Sequence, residues 1–442
     1  MARYRWRVRA TYAAKATQLA SELSISPVLA RILVARGYTE PADAYRFLKP
    51  SLTDLADPKR IDSHYPFHEL SGVGVSFRVA EALLRARKLA RNGFYDTMLD
   101  LVALGTVADV VPLIGENRIL VKLGLEQLHQ TKRVGLQELK KVAGVKGYPT
   151  ARDIGFGLAP RMNAAGRLED ATLALQLLLE EDTDTAQNIA QKLNEHNRAR
   201  QQLQEAAVQE AIAQIERENL TRHRALVVHS SDWRHGIVGL VAGKLKERYY
   251  RPVAAVTIDA ESGVARGSMR SIPEFSLTEL LAQMKPLCLK CGGHEAAGGF
   301  AVALEQLDAL RMLITDFANA HLTDDDLIPT LDIDQEIAPS EATVSLIREL
   351  AMLEPFGAGN ERPLFLCRGV EVLGSRASSD GKHLFLKVRG AGGVETAAVL
   401  WDGGDYPIEP QTRVDLVFDL EEDTYYGYGT TRWVIKDFEE QV

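Results

Sequence analysis

The sequence predicts an α/β protein that ends in a small β-barrel, and three observations carry that prediction. RALVVHS (224–230), HGIVGLVAGKLKERY (235–249) and PVAAVTID (252–259) read as strand, helix and strand in succession. Upstream, Ile189, Leu193, Leu203, Ala207, Ile212 and Ile215 recur at helical spacing and predict one long helix over 184–218. Downstream, residues 365–374, 383–390, 394–403, 413–423 and 432–438 are short β-rich runs with Gly- and Asp-rich turns between them. Five such strands suggest an OB-type barrel.

The chain has 442 residues, a length that suggests about three domains with proper cores. A hydrophobic fraction of 46% with 25% charged residues is ordinary for a soluble globular protein. The net charge of −8 argues against a generally basic DNA-coating protein, yet it leaves room for a local basic groove. Three cysteines suggest no disulfide framework and a reducing compartment. No apolar run reaches transmembrane length, so no membrane partner is expected. Arg3, Arg5, Arg7 and Arg9 precede any acid, as in a transit peptide. The alternative is the start of a domain, with a helical pattern at Leu19, Leu23, Leu29 and Leu33, and the cytoplasm is the expected compartment.

The most apolar stretch is Met98–Gly115, with Asp100 and Asp109 set into it. Leu101–Leu104 reads as a short buried strand, turned by Gly105 and Thr106 and closed by Pro112. Asp109 lies between Ala108 and Val110, and in an apolar interior its carboxylate needs a partner. A metal ion, an arginine, or a helix N-terminus that Asp109 caps would each serve. Residues 116–129 follow as a helix with Ile119, Leu120, Leu123 and Leu128 on one side.

In LAPRMNAAGRLEDA (158–171), Arg161, Asn163 and Arg167 bracket small residues that let a ligand approach the backbone. Guanidinium forks suit phosphate oxygens; pairing with Glu169 and Asp170 is the structural alternative. The long helix is polar at its centre, where Asn194, Asn197 and Gln201 stand at core positions, as in a helix crossing between two domains. Gly236 and Gly239 near the next helix start allow an anion close to its amino end. Cys288, Cys291 and His294 form a CxxCxxH, but zinc wants a fourth ligand and Cys367 lies far along in a strand. Tyr425, Tyr426 and Tyr428 beside Arg432 and Trp433 read either as a stacking platform for bases or as cover for a barrel end.

SGVGVSFRVAEALL (71–84), DLVALGTVADVVPLIGENRILVKLGL (100–125) and DIGFGLAPRMNAAGRLEDA (153–171) resemble the RecJ family of single-stranded-DNA-specific exonucleases, within the DHH phosphoesterase superfamily. RGYTEPADAYRFLKPSL (36–52) and LEPFGAGN (353–360) are similar to that family as well. The resemblance implies that Asp109 is a ligand of a catalytic Mn²⁺ or Mg²⁺ pair, and that Arg161, Asn163 and Arg167 line a DNA cleft. ARGSMRSIPEFSLTELL (265–281) and CGGHEAAGGF (291–300) look like a DHHA1 domain. Its backbone-binding motifs fall on Arg270, Ser271, Gly292, Gly293 and His294. The implied segments are an amino-terminal piece (1–60), a remnant of a doubly wound DHH domain (61–183), a connecting helix (184–220), DHHA1 (221–325) and an OB-type barrel (326–442).

One departure from the family pattern is severe. The family carries DxDG, DCG and DHH motifs on a half-domain with parallel strands, and none of the three occurs in this sequence. LTDLADPKRIDSHYPFHEL (52–70) joins the two flanking words directly near Asp57–Lys59. Asp62 and His64 lie close by, but DSH does not replace the missing ligands, and His64 reads as a surface loop residue. Asp109 alone cannot hold two ions. The expected function is therefore a 5′→3′ single-strand exonuclease of recombination and repair by family, impaired in this chain. A RecJ derivative that binds single-stranded DNA and cuts nothing is the alternative, and a sister phosphoesterase of short oligonucleotides fits the barrel poorly. A helicase or single-strand-binding protein is the candidate protein partner.

Overall fold

The computed structural model describes residues 4–58, 65–89, 93–168, 171–404, 406, 408–423 and 429–441. In chain order a strand β1 (Arg5–Val8) precedes helices α1 (Ala13–Leu23), α2 (Pro27–Ala35), α3 (Pro41–Leu48), α4 (Gly72–Ala86), α5 (Phe94–Ala108), α6 (Gly115–His129) and α7 (Val134–Ala143). A π-helical turn (Asp153–Leu158) leads into α8 (Ala159–Leu168), α9 (Thr172–Leu179) and α10 (Thr183–Arg217). Then come β2 (Leu226–Ser230), α11 (His235–Tyr249), β3 (Val253–Asp259), β4 (Val264–Arg270), α12 (Leu277–Met284), β5 (Cys288–His294), β6 (Ala297–Ala303) and α13 (Leu307–His321). The chain ends with β7 (Thr330–Ile333), β8 (Gln335–Glu336), α14 (Val344–Leu350), β9 (Phe365–Ala377), β10 (Leu384–Arg389), β11 (Glu395–Leu400), β12 (Arg413–Glu422) and β13 (Thr431–Glu440). Two compact units result: Met1–Lys132 with Gly144–Ala159 and Thr330–Val442, and Arg133–Ala143 with Pro160–Pro329.

In the first unit β9, β10, β11, β13 and β12 close a five-stranded barrel, because the long β9 pairs with β12 near its start and with β10 near its end. This is the OB fold that the strand pattern suggested. All its pairings are antiparallel except β11 with β13. The barrel core of Phe365, Phe418, Leu416 and Ile435 is continuous with Leu29, Ile32 and Leu33 of α2 and Phe47 of α3. Of the residues read as a transit-like start, Arg5 and Arg7 lie in β1, which pairs in parallel with β7, and Arg3 lies outside the described residues. The LEPFGAGN word is a joint: Asn360 Nδ2 donates to the Leu353 and Pro355 carbonyls at 2.9 and 2.8 Å.

The expected strand at Leu101–Leu104 does not exist; the run lies inside α5. A short apolar run cannot by itself separate a strand from a buried helix. Here Leu99, Val102, Ala103 and Thr106 are buried at helical spacing, and α5 packs on α6 so closely that a Cβ on Gly124 would sit 2.3 Å from the Leu99 carbonyl oxygen. Nor is Gly105 a turn: a Cβ there would meet Val73 at 2.7 Å. Asp100 is buried and accepts from Thr131 Oγ1 at 2.7 Å. Among the described residues 65–168 no strand occurs.

Where the two flanking words meet, the structure is tightly bonded. Glu116 Oε1 accepts the Ala56 N–H at 2.8 Å, and its Oε2 accepts from Tyr65 Oη at 2.7 Å. Arg78 Nε donates to Tyr65 Oη at 3.0 Å, and the same guanidinium binds the Glu81 carboxylate and the Ala56 carbonyl. Arg78, Glu81 and Glu116 are all buried, and the mutual pairing offsets the cost of burying their charges.

The second unit holds a five-stranded sheet in the order β2-β3-β4-β6-β5, parallel only between β2 and β3. Alternation splits its strands between two faces. Val228 and Ala255 pack with α10 and α11, while Val227, Ala254 and Val256 pack with α12 and α13. The first half of α10 packs on α7 and α9, and Asp182 caps its start by accepting the Thr185 N–H at 2.8 Å.

Candidate nucleic-acid interface

The polar centre of α10 builds the site. Asn194 and Asn197 are buried at core positions, where an unpaired amide would be costly. Each holds an arginine: Arg161 Nε donates to Asn194 Oδ1 at 3.0 Å, and Arg200 Nη2 to Asn197 Oδ1 at 2.6 Å. Arg161 also donates to the Val142 carbonyl at 3.3 Å, and Arg200 to Gln204 Oε1 at 2.7 Å. Asn194 and Asn197 meet the expectation of polar residues at core positions, Gln201 is instead exposed, and the two amides orient guanidinium groups.

α8 and the start of α11 meet through glycine. Arg167 Nη1 donates to the Gly236 carbonyl at 3.2 Å, and a Cβ on Gly236 would lie 2.3 Å from the Arg167 carbonyl oxygen. A Cβ on Gly239 would sit 3.1 Å from Arg270 Nη2. Only glycine permits the first approach, and the second is tight. Arg270, at the end of β4, donates to Ser268 Oγ at 3.0 Å and to the Met269 carbonyl at 2.8 Å.

The arginines act on one another. Burial holds Arg161, Arg200 and Arg270 below the usual guanidinium range; Arg198 adds to this at Arg161, and Arg167 adds to it at Arg200 and Arg270. Arg167 is lowered by burial alone. All remain charged at neutral pH. Among the described residues no carboxylate pairs with Arg167, Arg198, Arg200 or Arg270. Four like charges without carboxylate partners among the described residues are stabilised by an anion with several negative oxygens. Arg198 and Arg200 escaped the sequence reading, although NEHNRARQQ displays them.

Asn163 is exposed on α8. Glu169 and Asp170, the alternative partners for Arg161 and Arg167, lie outside the described residues. Gly292, Gly293 and His294 are exposed on β5, an edge strand, and nothing lies within 4 Å of a Cβ built at Gly292. Gly293 is needed internally, since its Cβ would strike the Ala297 carbonyl at 2.4 Å. His294 Nδ1 accepts the Ala296 N–H at 3.3 Å.

Two expected DNA contacts are corrected. Ser271 is buried, and its hydroxyl donates inward to the carbonyls of Phe275 and Ile272 at 3.1 and 3.3 Å. Trp433 is 1% exposed and stacks on Phe418 inside the barrel, with centroids 4.1 Å apart. Its strand turns Trp433 and Ile435 inward together, a register the sequence does not reveal. Tyr425, Tyr426 and Tyr428 lie outside the described residues. An exposed aromatic of the barrel is Trp401, 43% exposed, with Arg432 6.0 Å from its centroid and His383 edge-on at 4.8 Å. Phe385 stands 6.3 Å from Trp401 and lines a groove of about 1020 Å³ with Arg376, Lys387, Thr396 and Thr431. Its signal was WDGG at a strand end.

Asp109 is not in an apolar interior. It follows the last turn of α5, exposed, with its N–H donating to the Gly105 carbonyl at 3.0 Å. Among the described residues no three His, Cys, Asp or Glu side chains gather as a metal site, so Asp109 has no companions for an Mn²⁺ or Mg²⁺ pair and Cys288, Cys291 and His294 make no zinc site. Asp62 and His64 lie outside the described residues.

The arginine cluster of α8, α10 and β4 suits a polyanion, and the chain runs on in sequence into an OB barrel. Residues 223–320 match the DHHA1 domain and residues 333–437 the RecJ OB domain. The chain is 36% identical over 392 residues to the single-stranded-DNA-specific exonuclease RecJ of Bacillus subtilis, covering 88% of this chain and 49% of that protein. It is 32% identical over 408 residues to RecJ of Dickeya dadantii, covering 88% of this chain and 70% of that one. The crystal structure of Thermus thermophilus RecJ with Mg²⁺ superposes with a TM-score of 0.85 at 27% identity, over 100% of this chain and 79% of that one. Its Mn²⁺ complex gives 0.86 at 25% identity, over 100% and 80%. The chain belongs to the RecJ family. It spans about half the length of the B. subtilis relative.

Proposed function

We propose that this chain is a single-stranded-DNA-binding RecJ protein that does not hydrolyse DNA on its own. The observation that carries the reading is the arginine set Arg167, Arg198, Arg200 and Arg270, which have no carboxylate partners among the described residues. Guanidinium groups neutralise successive phosphates, while Trp401 and Phe385 offer faces on which bases stack without regard to sequence. Arg161 and Arg200 are pre-oriented by Asn194 and Asn197, which lowers the entropy cost of engaging phosphate. The edge strand carrying Gly292 and Gly293 offers backbone N–H groups to the same polyanion.

Hydrolysis in this family is metal-dependent, and Asp109 alone supplies one oxygen donor group, which cannot fix two ions. The family setting of the reading is recombination and repair in the cytoplasm, beside helicases and single-strand-binding proteins. Fluorescence anisotropy with labelled oligothymidylate tests binding. Affinity that falls with rising salt and drops in the Arg167→Ala/Arg270→Ala double variant supports it. Equal affinity of the double variant at low salt removes it. The rival reading, a working 5′→3′ exonuclease, requires Mn²⁺-dependent nucleotide release that Asp109→Ala abolishes.

A further inference from the structure

We infer that Cys288 and Cys291 are a redox-modification site: hydrogen peroxide closes the two thiols to a disulfide that contracts the edge strand β5 and loosens its hold on a polyanion. The closure rests on the geometry of the strand alone, and its effect on nucleic acid rests on the DNA-binding reading.

Two residues three apart on a regular strand point to opposite faces. β5 is not regular. Cys288 stands opposite Val302 of β6, Lys290 opposite Ala301 and Cys291 opposite Phe300, so Leu289 is the extra residue of a β-bulge. Leu289 itself is 65% exposed. The bulge restores the parity of the two cysteines, and both pack on the core that holds Val302, Phe300, Leu281 and Met284. Cys291 Sγ donates to the Leu281 carbonyl of α12 at 3.7 Å. The Cys288 thiol lies within hydrogen-bonding reach of Cys291.

The span suits a disulfide. On β5 the cysteines are three residues apart, yet they face the two-residue step from Val302 to Phe300, which sets their Cα atoms about 6.6 Å apart by the rise of a strand. That is the far end of the range of about 4.4–6.8 Å that a disulfide bridges, so closing the bond draws the strand in and deepens the bulge. Past the bulge the alternation is regular, and His294 falls on the face opposite Cys291, exposed. The two sulfurs are therefore a dithiol and not two-thirds of a metal set. Cys367 is 2% exposed in the barrel core and is shielded from the same oxidant.

Burial, and then Cys291, push the Cys288 thiol up to about 11, so it stays protonated at neutral pH. Cys291 is thus the sulfur that meets the oxidant. Hydrogen peroxide gives it one oxygen, forming a sulfenic acid and releasing one water. The Cys288 sulfur then displaces the hydroxyl group, its proton leaves with that hydroxyl as a second water, and the S–S bond forms. Two thiols thereby lose two electrons and two protons to one peroxide, and a thiol reductant returns them. In a reducing compartment such a pair senses oxidant and does not staple the fold. Gly292, the first residue past the pair, is exposed, and Gly293 packs against the Ala297 carbonyl, so the contraction is felt where backbone N–H groups are offered to phosphate.

The full chain, reduced and then treated with hydrogen peroxide, tests this in three readings. Peptide mapping by mass spectrometry should find an intrachain link between Cys288 and Cys291 that dithiothreitol removes and Cys291→Ala lacks. Hydrogen exchange should change at residues 289–292 and stay the same in the barrel. Anisotropy with labelled oligothymidylate should show affinity falling about fivefold on oxidation, as for the loss of one hydrogen bond, while Cys291→Ala keeps its affinity in peroxide. No link, a link only between chains, or a sulfinic acid at Cys291 in place of the link would overturn the inference. So would a link that leaves the exchange, or a measurable affinity, unchanged. Mapping is done on the unsubstituted chain and stands even if Cys291→Ala fails to fold. A reduced chain that binds no DNA removes the proposed function alone, and the link and the exchange still decide the site.

Discussion

Tyr65 gives its hydroxyl proton to Glu116 Oε2 across 2.7 Å, and that hydrogen bond joins the chain on one side of the juncture to α6. The other carboxylate oxygen takes the Ala56 N–H from the opposite side. Burial, and then the hydrogen bond to Glu116, hold the Tyr65 phenol well above its usual range, so it remains a neutral donor. One carboxylate thus ties together the segments on both sides of the juncture.

Removing that carboxylate should be severe. Glu116→Ala leaves the buried Arg78 with one carboxylate partner fewer and the Ala56 N–H without its acceptor, which should cost about 3–5 kcal/mol of stability. Tyr65→Phe should cost about 1–3 kcal/mol, because Glu116 loses one donor while Arg78 keeps Glu81. Urea unfolding read by circular dichroism checks both, and equal losses would contradict the assigned hierarchy.

Binding to single strands should respond to arginine number. Each guanidinium removed from the phosphate path should flatten the slope of log affinity against log salt by about 0.7, so Arg167→Ala with Arg270→Ala should flatten it by about 1.4. Anisotropy between low and moderate salt measures this. Asn194→Leu keeps the charge of Arg161 but frees its direction, so affinity should fall while the slope stays.

The two tryptophans should separate function from stability. Trp401→Ala should weaken DNA binding by about 1–3 kcal/mol with little change in melting temperature, as for an exposed base-stacking ring. Trp433→Ala should instead cost about 3–5 kcal/mol of folding stability. Thermal unfolding and anisotropy on both variants give the answer, and a swap of the two phenotypes would reverse the assignment.

Asp419, buried in β12, has its carboxyl pushed up to about 6 by burial, against the opposing pull of Arg362 and Lys436. The folded state therefore holds this proton more tightly than the unfolded chain, whose aspartates titrate near 3.9. Between those values stability falls as pH rises, and the penalty is complete above pH about 6. Relative to wild type, Asp419→Asn should gain about 2 kcal/mol in going from pH 4.5 to 7. Denaturant titrations at both pH values measure it, and a gain of opposite sign would place the burial effect elsewhere.

Metal should confer no hydrolysis on the purified chain and leave its binding unchanged. With Mn²⁺ the purified chain should release no nucleotides from 5′-phosphorylated single strands, and EDTA should leave its DNA affinity unchanged, since arginines carry it. Activity lost in Asp109→Ala would reveal ligands supplied from residues such as Asp62 and His64.

Regular elements were legible where periodicity was long. The span of α10, the β2–α11–β3 unit and the barrel strands all follow from spacing, and so does the polar break at Asn194 and Asn197. α5 was misread because four apolar residues fit either period and the cost of a wrong choice falls on contacts with α6 that sequence does not display. Trp433 was misread because strand parity is fixed by closure of the barrel and not by neighbouring tyrosines. The approach of Arg167 to Arg270 joins residues a hundred positions apart, and only the glycines at 236 and 239 hinted that something had to fit there.

The pairing of β1 with β7 ties Arg5–Val8 to Thr330–Ile333, and Trp6 Nε1 reaches Asp437 at 2.7 Å. A ribosome adding about 5–20 residues per second makes the first strand wait on the order of half a minute before its partner exists. During that time Trp6 and its neighbours are an unpaired edge in the cell. The amino-terminal strand is therefore among the last pieces to settle, and a bulky tag fused ahead of it should slow the final closing of the first unit more than one placed at an internal loop.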